Sequence, residues 1–425
     1  MGIIQQEIEA GIFEMATSKE RILAALNGKP SDHVPLTTWC FGFSPAKHLC
    51  WQRDGRNVNY WYSMRMEHIH TIAQPWTLAD DFKRVETWLR LGIDDILDVS
   101  VPWSQDADVT WQDTRIGAGK VNQYPVLVRE YQTPSGRLRH SVRHTGERIG
   151  EGWVIQPNYV ALFEDYNVSR AVEHAVSSSS DVAVTKHLYC KPNAEAKRWF
   201  DKRISQVKRF ADEKGILVQA WSAFGMDAAV WLTGSQAAIM MAMDAPTAFG
   251  QLMEIIAETD YARTELAVSN PGVDMVVQRG WYSSTDFWSP RLFDQFVYPH
   301  LKKLTALAHK YHKKFGYVMT TGVEILGSRL ADAGVDLLYF VDPIQDRISL
   351  ETVKQLLSNR MTLVGGTNAL SLACGDDERI HREVKRAIEV LGPTNRFILH
   401  PVDALFPDTG WDGVEQMIEA WKKYR

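Results

Sequence analysis

Short runs of consecutive apolar residues alternate along this chain with longer stretches in which apolar residues recur every three or four positions. ILVQAW (216–221), VDMVVQ (273–278), FGYVMT (315–320), VDLLYFV (335–341), MTLVGG (361–366) and RFILH (396–400) lack polar alternation, as strands buried on both faces do. Upstream, VPLTTW (34–39) and DILDVSV (95–101) share that character. Helical periodicity fills the intervals at 235–269, 289–312, 323–332, 349–358, 376–391 and 412–424, and earlier in MEHIHTIAQ and DFKRVETWLRL. Eight strand candidates separated by helices predict an α/β chain folded as a (β/α)8 TIM-type barrel, because parallel neighbours need crossovers of this length. An open doubly wound sheet would carry a Gly-rich first turn, and no GxGxxG occurs.

Two departures from the rhythm predict additions to the barrel. In residues 104–160, YPVLVREYQTPSGRLRHSVRHTG places β-rich runs on either side of Pro134-Ser135-Gly136, the signature of an inserted β-hairpin. Following Val101-Pro102-Trp103, it is expected to sit over the catalytic mouth. SKERILAALNGKP (18–30), opened by the capping box Thr17-Ser-Lys-Glu20, reads as an N-terminal helical extension that plugs the barrel floor. Residues 1–425 are expected to form a single domain, since barrels routinely exceed 250 residues.

Charge narrows the partners. A net charge of −5 without any block of Lys or Arg leaves no footprint for nucleic acid or an anionic membrane. Cys40, Cys50, Cys190 and Cys374 are scattered without a CxxC, which fits a reducing compartment, so a cytoplasmic location is expected. The N-terminal residues contain acidic side chains and no long apolar run, unlike a signal peptide or a span. No GxSxG elbow, HExxH or Walker loop occurs. Asp80-Asp81 and Asp94-Asp95 read as solvated charges, and His68 and His70, two residues apart on a helix, are poor joint ligands.

Barrel active sites are assembled just past the C-terminal ends of the strands. Those positions hold Trp39 and Cys40; Trp103; Trp221; Trp281, Tyr282, Ser283, Thr285 and Asp286; Met319, Thr320 and Thr321; Asp342; Thr367 and Asn368; His400 and Asp403. Trp recurs at four of the eight ends, which points either to rim packing or to a pocket for a flat ring. His400 and Asp403, in HPVDALFPDT, are the foremost acid, base or metal-ligand candidates; a cap and a structural hydrogen bond are the alternative. Asp342 precedes Pro343 and reads equally as a turn former, Asp286 as a helix cap, and Glu324 as a carboxylate favoured by a helix start.

ATSKERILAALNGKPSDHVPLTTW resembles the opening of the uroporphyrinogen decarboxylase superfamily, with a helix leading through Asp-x-x-Pro into the first strand. DAPTAFGQLMEIIAETD, GVDMVV, SPRLFDQFVYPHLKKLTALAHKYHKKFGYVM, LADAGVDLLYFVDP and FILHPVDALFPDT follow in the same superfamily order. The superfamily contains porphyrinogen decarboxylases and methyltransferases that serve corrinoid proteins. The decarboxylases resemble one another in an Arg-bearing segment after the first strand that grips substrate carboxylates; here that place reads TTWCFGFSP. An octa-acid needs several cations, so the resemblance points to the methyltransferase branch.

Thiol-directed members of that branch share a His-x-Cys pair and a later Cys that bind zinc. The matching positions are Met319, Thr321 and Asp403, a set too hard for thiolate activation. An oxygen-rich metal site using Asp403 and His400, with Asp286 or Asp342, stays open. The resemblance therefore implies an enzyme that removes a methyl group from a small methylated substrate, foremost a methoxylated aromatic, and passes it to a corrinoid (cobalamin) on a partner protein. In that reading His400, Asp403, Tyr282 and Asp342 are the catalytic candidates, and Trp39, Trp103, Trp221, Trp281, Met319, Thr321 and Asn368 bind the substrate. A homodimer is compatible with it. Three alternatives remain: a lyase that decarboxylates a small carboxylated ring, a zinc-dependent thiol methyltransferase, and a non-catalytic binding protein on the same barrel.

Overall fold

The computed structural model describes residues 16–63, 76–120, 123–144, 160–164 and 169–425. Among these, the strands Ile96–Ser100, Leu217–Ala223, Met275–Gln278, Lys314–Val318, Leu337–Val341, Thr362–Asn368 and Phe397–Val402 are hydrogen-bonded in chain order and all parallel. Each but the first and fourth is buried along its whole length, because helices cover the outer face and side chains fill the inner one. The fold is the expected TIM-type barrel. Its eighth position belongs to segment 34–40, which is no regular strand: Leu36 bridges Leu399 and Cys40 bridges Leu405. Pro35 has no N–H for a ladder and gives only its carbonyl, to Leu399 N at 2.9 Å.

The helix Ser18–Leu26 closes the N-terminal end as expected. Its box is formed, with Thr17 N donating to Glu20 Oε2 at 2.7 Å and Glu20 N to Thr17 Oγ1 at 3.2 Å. Ile22, Ala25 and Leu26 enter the barrel and pack with Ile96, Leu217, Met275, Leu337 and Ile398. Thr362 Oγ1 donates to Ala25 O at 2.8 Å, tying helix to strand.

Four acidic residues expected in solvent are instead buried: Asp80, Asp81, Asp94 and Asp95. Each has a partner that offsets desolvation. Asp80 accepts from Thr77 N and Trp51 Nε1, and Asp81 from Trp76 Nε1; Asp94 pairs with Arg21 at 2.9 Å and Asp95 with Arg84 at 2.6 Å. Adjacent residues in sequence thus act as interior pins.

The inserted hairpin is present as Val126–Thr133 and Gly136–Arg143, within a larger four-stranded antiparallel sheet completed by Thr110–Ile116 and Ala171–Glu173. Two helical stretches expected to be continuous are each split: Ser235–Asp244 then Pro246–Val268, and Pro290–Phe296 then Tyr298–Lys310. Pro246 and Pro299 lie in the first turn of the second helix of each pair, where a missing N–H is tolerated, so each break falls just before them. The expected helix MEHIHTIAQ, with His68 and His70, lies outside the described residues. No helix among the described residues is long and apolar enough to cross a membrane.

Candidate functional site

Above the apolar layer that seats the N-terminal helix, the barrel interior turns polar. Gln219 Nε2 and Trp221 Nε1 both donate to Asp98 Oδ1, at 2.6 and 2.8 Å, and Tyr339 OH donates to Gln219 Oε1 at 3.0 Å. Parallel register makes this meeting necessary, since Gln219 pairs with Asp98 and both point inward at the same level. Asp98 Oδ2 is buried without a partner. Burial pushes this carboxyl up to about 7, against the opposing hydrogen bonds from Trp221 and Gln219, so at neutral pH it is substantially protonated.

Directly on this layer lies an aromatic floor. Trp39 is its centre, with ring centroids 4.7 Å from Phe340, 4.9 Å from Tyr339, 5.1 Å from Trp221 and 6.3 Å from Trp281. Trp221 and Trp281 lie nearly parallel, 6.0 Å apart. Trp39, Trp221 and Trp281 thus come together from three strand ends. Trp281 Nε1 donates to Asp403 Oδ2 at 3.2 Å, and the Arg279 guanidinium stacks on its ring at 4.3 Å. Arg279 is itself held by Asp227 at 3.3 Å, and Asp227 also accepts from Tyr282 N. Asp227 thereby fixes the short turn Trp281–Ser283 that aims Trp281.

Other expected site residues are placed differently. His400 is fully buried, with Nδ1 3.0 Å from Thr37 Oγ1 and Nε2 3.2 Å from the Asp403 carbonyl. A carbonyl only accepts, so Nε2 carries the proton and Nδ1 accepts from Thr37. Burial holds the imidazole at about 3, so His400 is a neutral brace for the Asp403 backbone and not the acid expected of it. Asp342 is a turn former: its Oδ1 accepts from Ile344 N and Gln345 N, and its Oδ2 from Asn368 Nδ2 at 2.5 Å. Asn368, expected to touch substrate, is occupied by this bond and by capping Leu370 N.

Trp103 does not join the floor. The strand has ended at Ser100, and the chain carries Trp103 outside the barrel against Phe163, Tyr189 and Phe224. Met319 also faces outward, because its neighbour Val318 takes the inward position of the two-residue period. Thr321 Oγ1 donates to Asp286 Oδ2 at 2.6 Å, and Ser289, not Asp286, caps the next helix. Half-buried Tyr282 packs on Phe287, 5.6 Å away.

The mouth does not fit zinc. Met319 points away, Thr321 is bonded, and His400 meets the backbone of Asp403 and not its carboxylate. Among the described residues no three His, Cys, Asp or Glu side chains gather as a metal would require. Cys40, beside the floor in sequence, is buried with its thiol pushed up to about 12, far from a thiolate.

Asp98, Gln219 and Tyr339 were not among the residues singled out at the strand ends, since they lie two or more residues inside their strands. The signal was present all the same: an Asp within DILDVSV and a Gln within ILVQAW are polar residues in runs otherwise buried on both faces.

The uroporphyrinogen decarboxylase (URO-D) family profile matches residues 181–424. Among solved structures, a methyltransferase from Methanosarcina mazei is similar over 96% of this chain and 99% of its own, at 17% identity and a TM-score of 0.55. That likeness is one of fold. A 3-keto-D-glucoside 4-epimerase from E. coli, 12% identical over 60% of this chain and 97% of its own, is far less similar, with a TM-score of 0.32. No curated protein matches the chain.

Proposed function

The chain belongs to the uroporphyrinogen decarboxylase family, and from that premise we propose that it is a methyltransferase. It takes the methyl group of a small methylated substrate, foremost a methoxylated aromatic, and delivers it to a corrinoid carried by a partner protein. The observation behind this reading is the floor of Trp39, Trp221, Trp281 and Phe340 lying on a carboxyl that burial leaves substantially protonated at neutral pH. A porphyrinogen octa-acid would call for a ring of cations. At this mouth Arg279 is bound to Asp227, and the rim carries the carboxylate of Asp403.

The indoles offer flat, apolar faces to an aromatic ring and orient it by stacking. The corrinoid, as methyl acceptor, supplies the electron pair that forms the new bond to the methyl carbon. When the carbon–oxygen bond breaks, its pair stays on the leaving oxygen, which must gain a proton to depart as a phenol. Asp98 is the proton source in this reading. Its Oδ1 already accepts two bonds, so the proton resides on the unpartnered Oδ2. Asp403, bonded to Trp281, sets the rim.

The test is to incubate the purified chain with cobalamin reduced to the cob(I) state and a panel of methoxyarenes and methylamines. Loss of the cob(I)alamin absorption with one substrate class, abolished in Asp98→Ala, supports the reading. Carbon dioxide release from a carboxylated ring without any corrinoid would replace it with the lyase alternative.

A further inference from the structure

Two histidines outside the barrel lie close together, each with a buried ring nitrogen that no hydrogen bond uses. His140 lies on the insertion strand Gly136–Arg143, and His174 follows the strand Ala171–Glu173 of the same sheet. Their ring centroids are 6.0 Å apart. The Nδ1 atom of each is buried and has no hydrogen-bond partner. His174 is bonded to the backbone of Trp231, and with Nδ1 unpartnered that bond runs through Nε2. A ring N–H tied to a backbone carbonyl, with the other nitrogen's lone pair left over, is the usual state of a histidine that ligates a metal. His174 is also closely framed: a Cβ at Gly234 would lie 2.5 Å from its Nε2, and Gly234 has φ +80, so this backbone is shaped to the imidazole.

We propose that His140 and His174 bind a monovalent d10 cation, Cu+, between their Nδ1 atoms. The spacing favours a two-coordinate ion. With metal–nitrogen bonds of about 2.0 Å, imidazoles on opposite sides of one ion have centroids about 6 Å apart, against about 5 Å at a tetrahedral angle. Zinc would seek four ligands, and among the described residues no third His, Cys, Asp or Glu completes such a set. Imidazole nitrogen suits copper, and a single positive charge is opposed less than a double one by Arg129, which is close enough to act on His140. Burial holds both rings neutral, so no proton competes for either lone pair. The bound ion would fasten the inserted sheet to the barrel, because His174 is anchored to Trp231 and Gly234 at the junction of helices Met226–Thr233 and Ser235–Asp244.

The test titrates the full-length, chelator-stripped protein with Cu+ in competition with bicinchoninate, and with Zn2+ against a chromophoric zinc chelator. Wild type is expected to withhold one equivalent of Cu+ that His140→Phe and His174→Phe each surrender, to hold Zn2+ at least tenfold more weakly, and to melt higher with Cu+. X-ray absorption of the copper-loaded wild type needs no variant and should show two nitrogen neighbours. Unchanged stoichiometry in the variants, sulfur neighbours from Cys50, Cys190 or Cys374, or failure to withhold Cu+ would each overturn the proposal.

Discussion

The Trp221 indole donates its N–H to Asp98 Oδ1 at 2.8 Å, and this single bond joins the two halves of the candidate site. Above it lies the aromatic floor; below it lies a buried carboxyl that no cation bonds directly, Arg84 acting on it only through space. Removing the donor leaves Asp98 with Gln219 alone. Trp221→Phe should therefore raise the Asp98 pKa further and cost about 1–3 kcal/mol, as expected for a lost bond to a buried polar group. Denaturant unfolding measures the cost, and carboxyl-region infrared difference spectra measure the titration.

Asp98 also sets a pH dependence of stability. Its folded value of about 7 exceeds the ordinary 3.8, so the folded state holds a proton that the unfolded state releases. Stability is then lost as pH rises from about 4 through about 7, by on the order of 3–4 kcal/mol for this group. Asp94, raised to about 6 by burial, acts in the same direction. Asp98→Asn preserves an acceptor for Trp221 and Gln219 while removing the titration, so its melting temperature should fall less than that of wild type between pH 5 and 8.

His400 should behave as a brace. Its folded value of about 3 lies below the ordinary 6.5, so it stays neutral through the physiological range, and acidification below pH 6.5 removes stability as the unfolded state takes up the proton. NMR of the ring should show no titration between pH 8 and 4. A methyl-transfer pH profile should carry no inflection that disappears in His400→Asn.

The tryptophans divide by position. Trp39→Ala and Trp281→Ala are expected to raise KM for an aromatic substrate on the order of tenfold or more, since they remove ring contact at the floor. Trp103→Ala should leave KM within about twofold while lowering stability by about 3 kcal/mol through a lost packing partner. Equal effects on KM would contradict the assignment of Trp103 to the outer cluster.

Gly365 tests the barrel wall. At φ +140 a Cβ would lie 2.3 Å from Val341 O, a backbone atom that cannot move aside. Gly365→Ala is expected to destabilise by about 3 kcal/mol or more, read by urea denaturation.

Barrel and site were unequally legible in the sequence. Strands buried on both faces announce themselves as apolar runs, so the seven parallel strands and the N-terminal cap around Thr17 and Glu20 could be read directly. Segment 34–40 looked the same, but Pro35 removes a donor that only pairing reveals as missing. At the strand ends, Trp39, Trp221 and Trp281 were correctly grouped because their strands deliver them to one level. Trp103 was grouped with them through a single misjudged strand end, and Met319 through a one-residue error of facing. Asp94 and Asp95 looked solvated because their partners, Arg21 and Arg84, are remote or unremarkable in sequence. Asp98 escaped notice since its chemistry comes from burial and from Gln219, more than a hundred residues away, which spacing alone cannot show.

The most direct test of the central claim follows the methyl group itself. A methoxyarene labelled with CD3 is incubated with the purified chain and cobalamin held in the cob(I) state, and both products are analysed by mass spectrometry. The proposed function predicts CD3-cobalamin and the free phenol in equal amounts, with both reduced at least a hundredfold in Asp98→Ala. Unlabelled cobalamin across the whole methoxyarene and methylamine panel, from protein shown by circular dichroism to be folded, would contradict it.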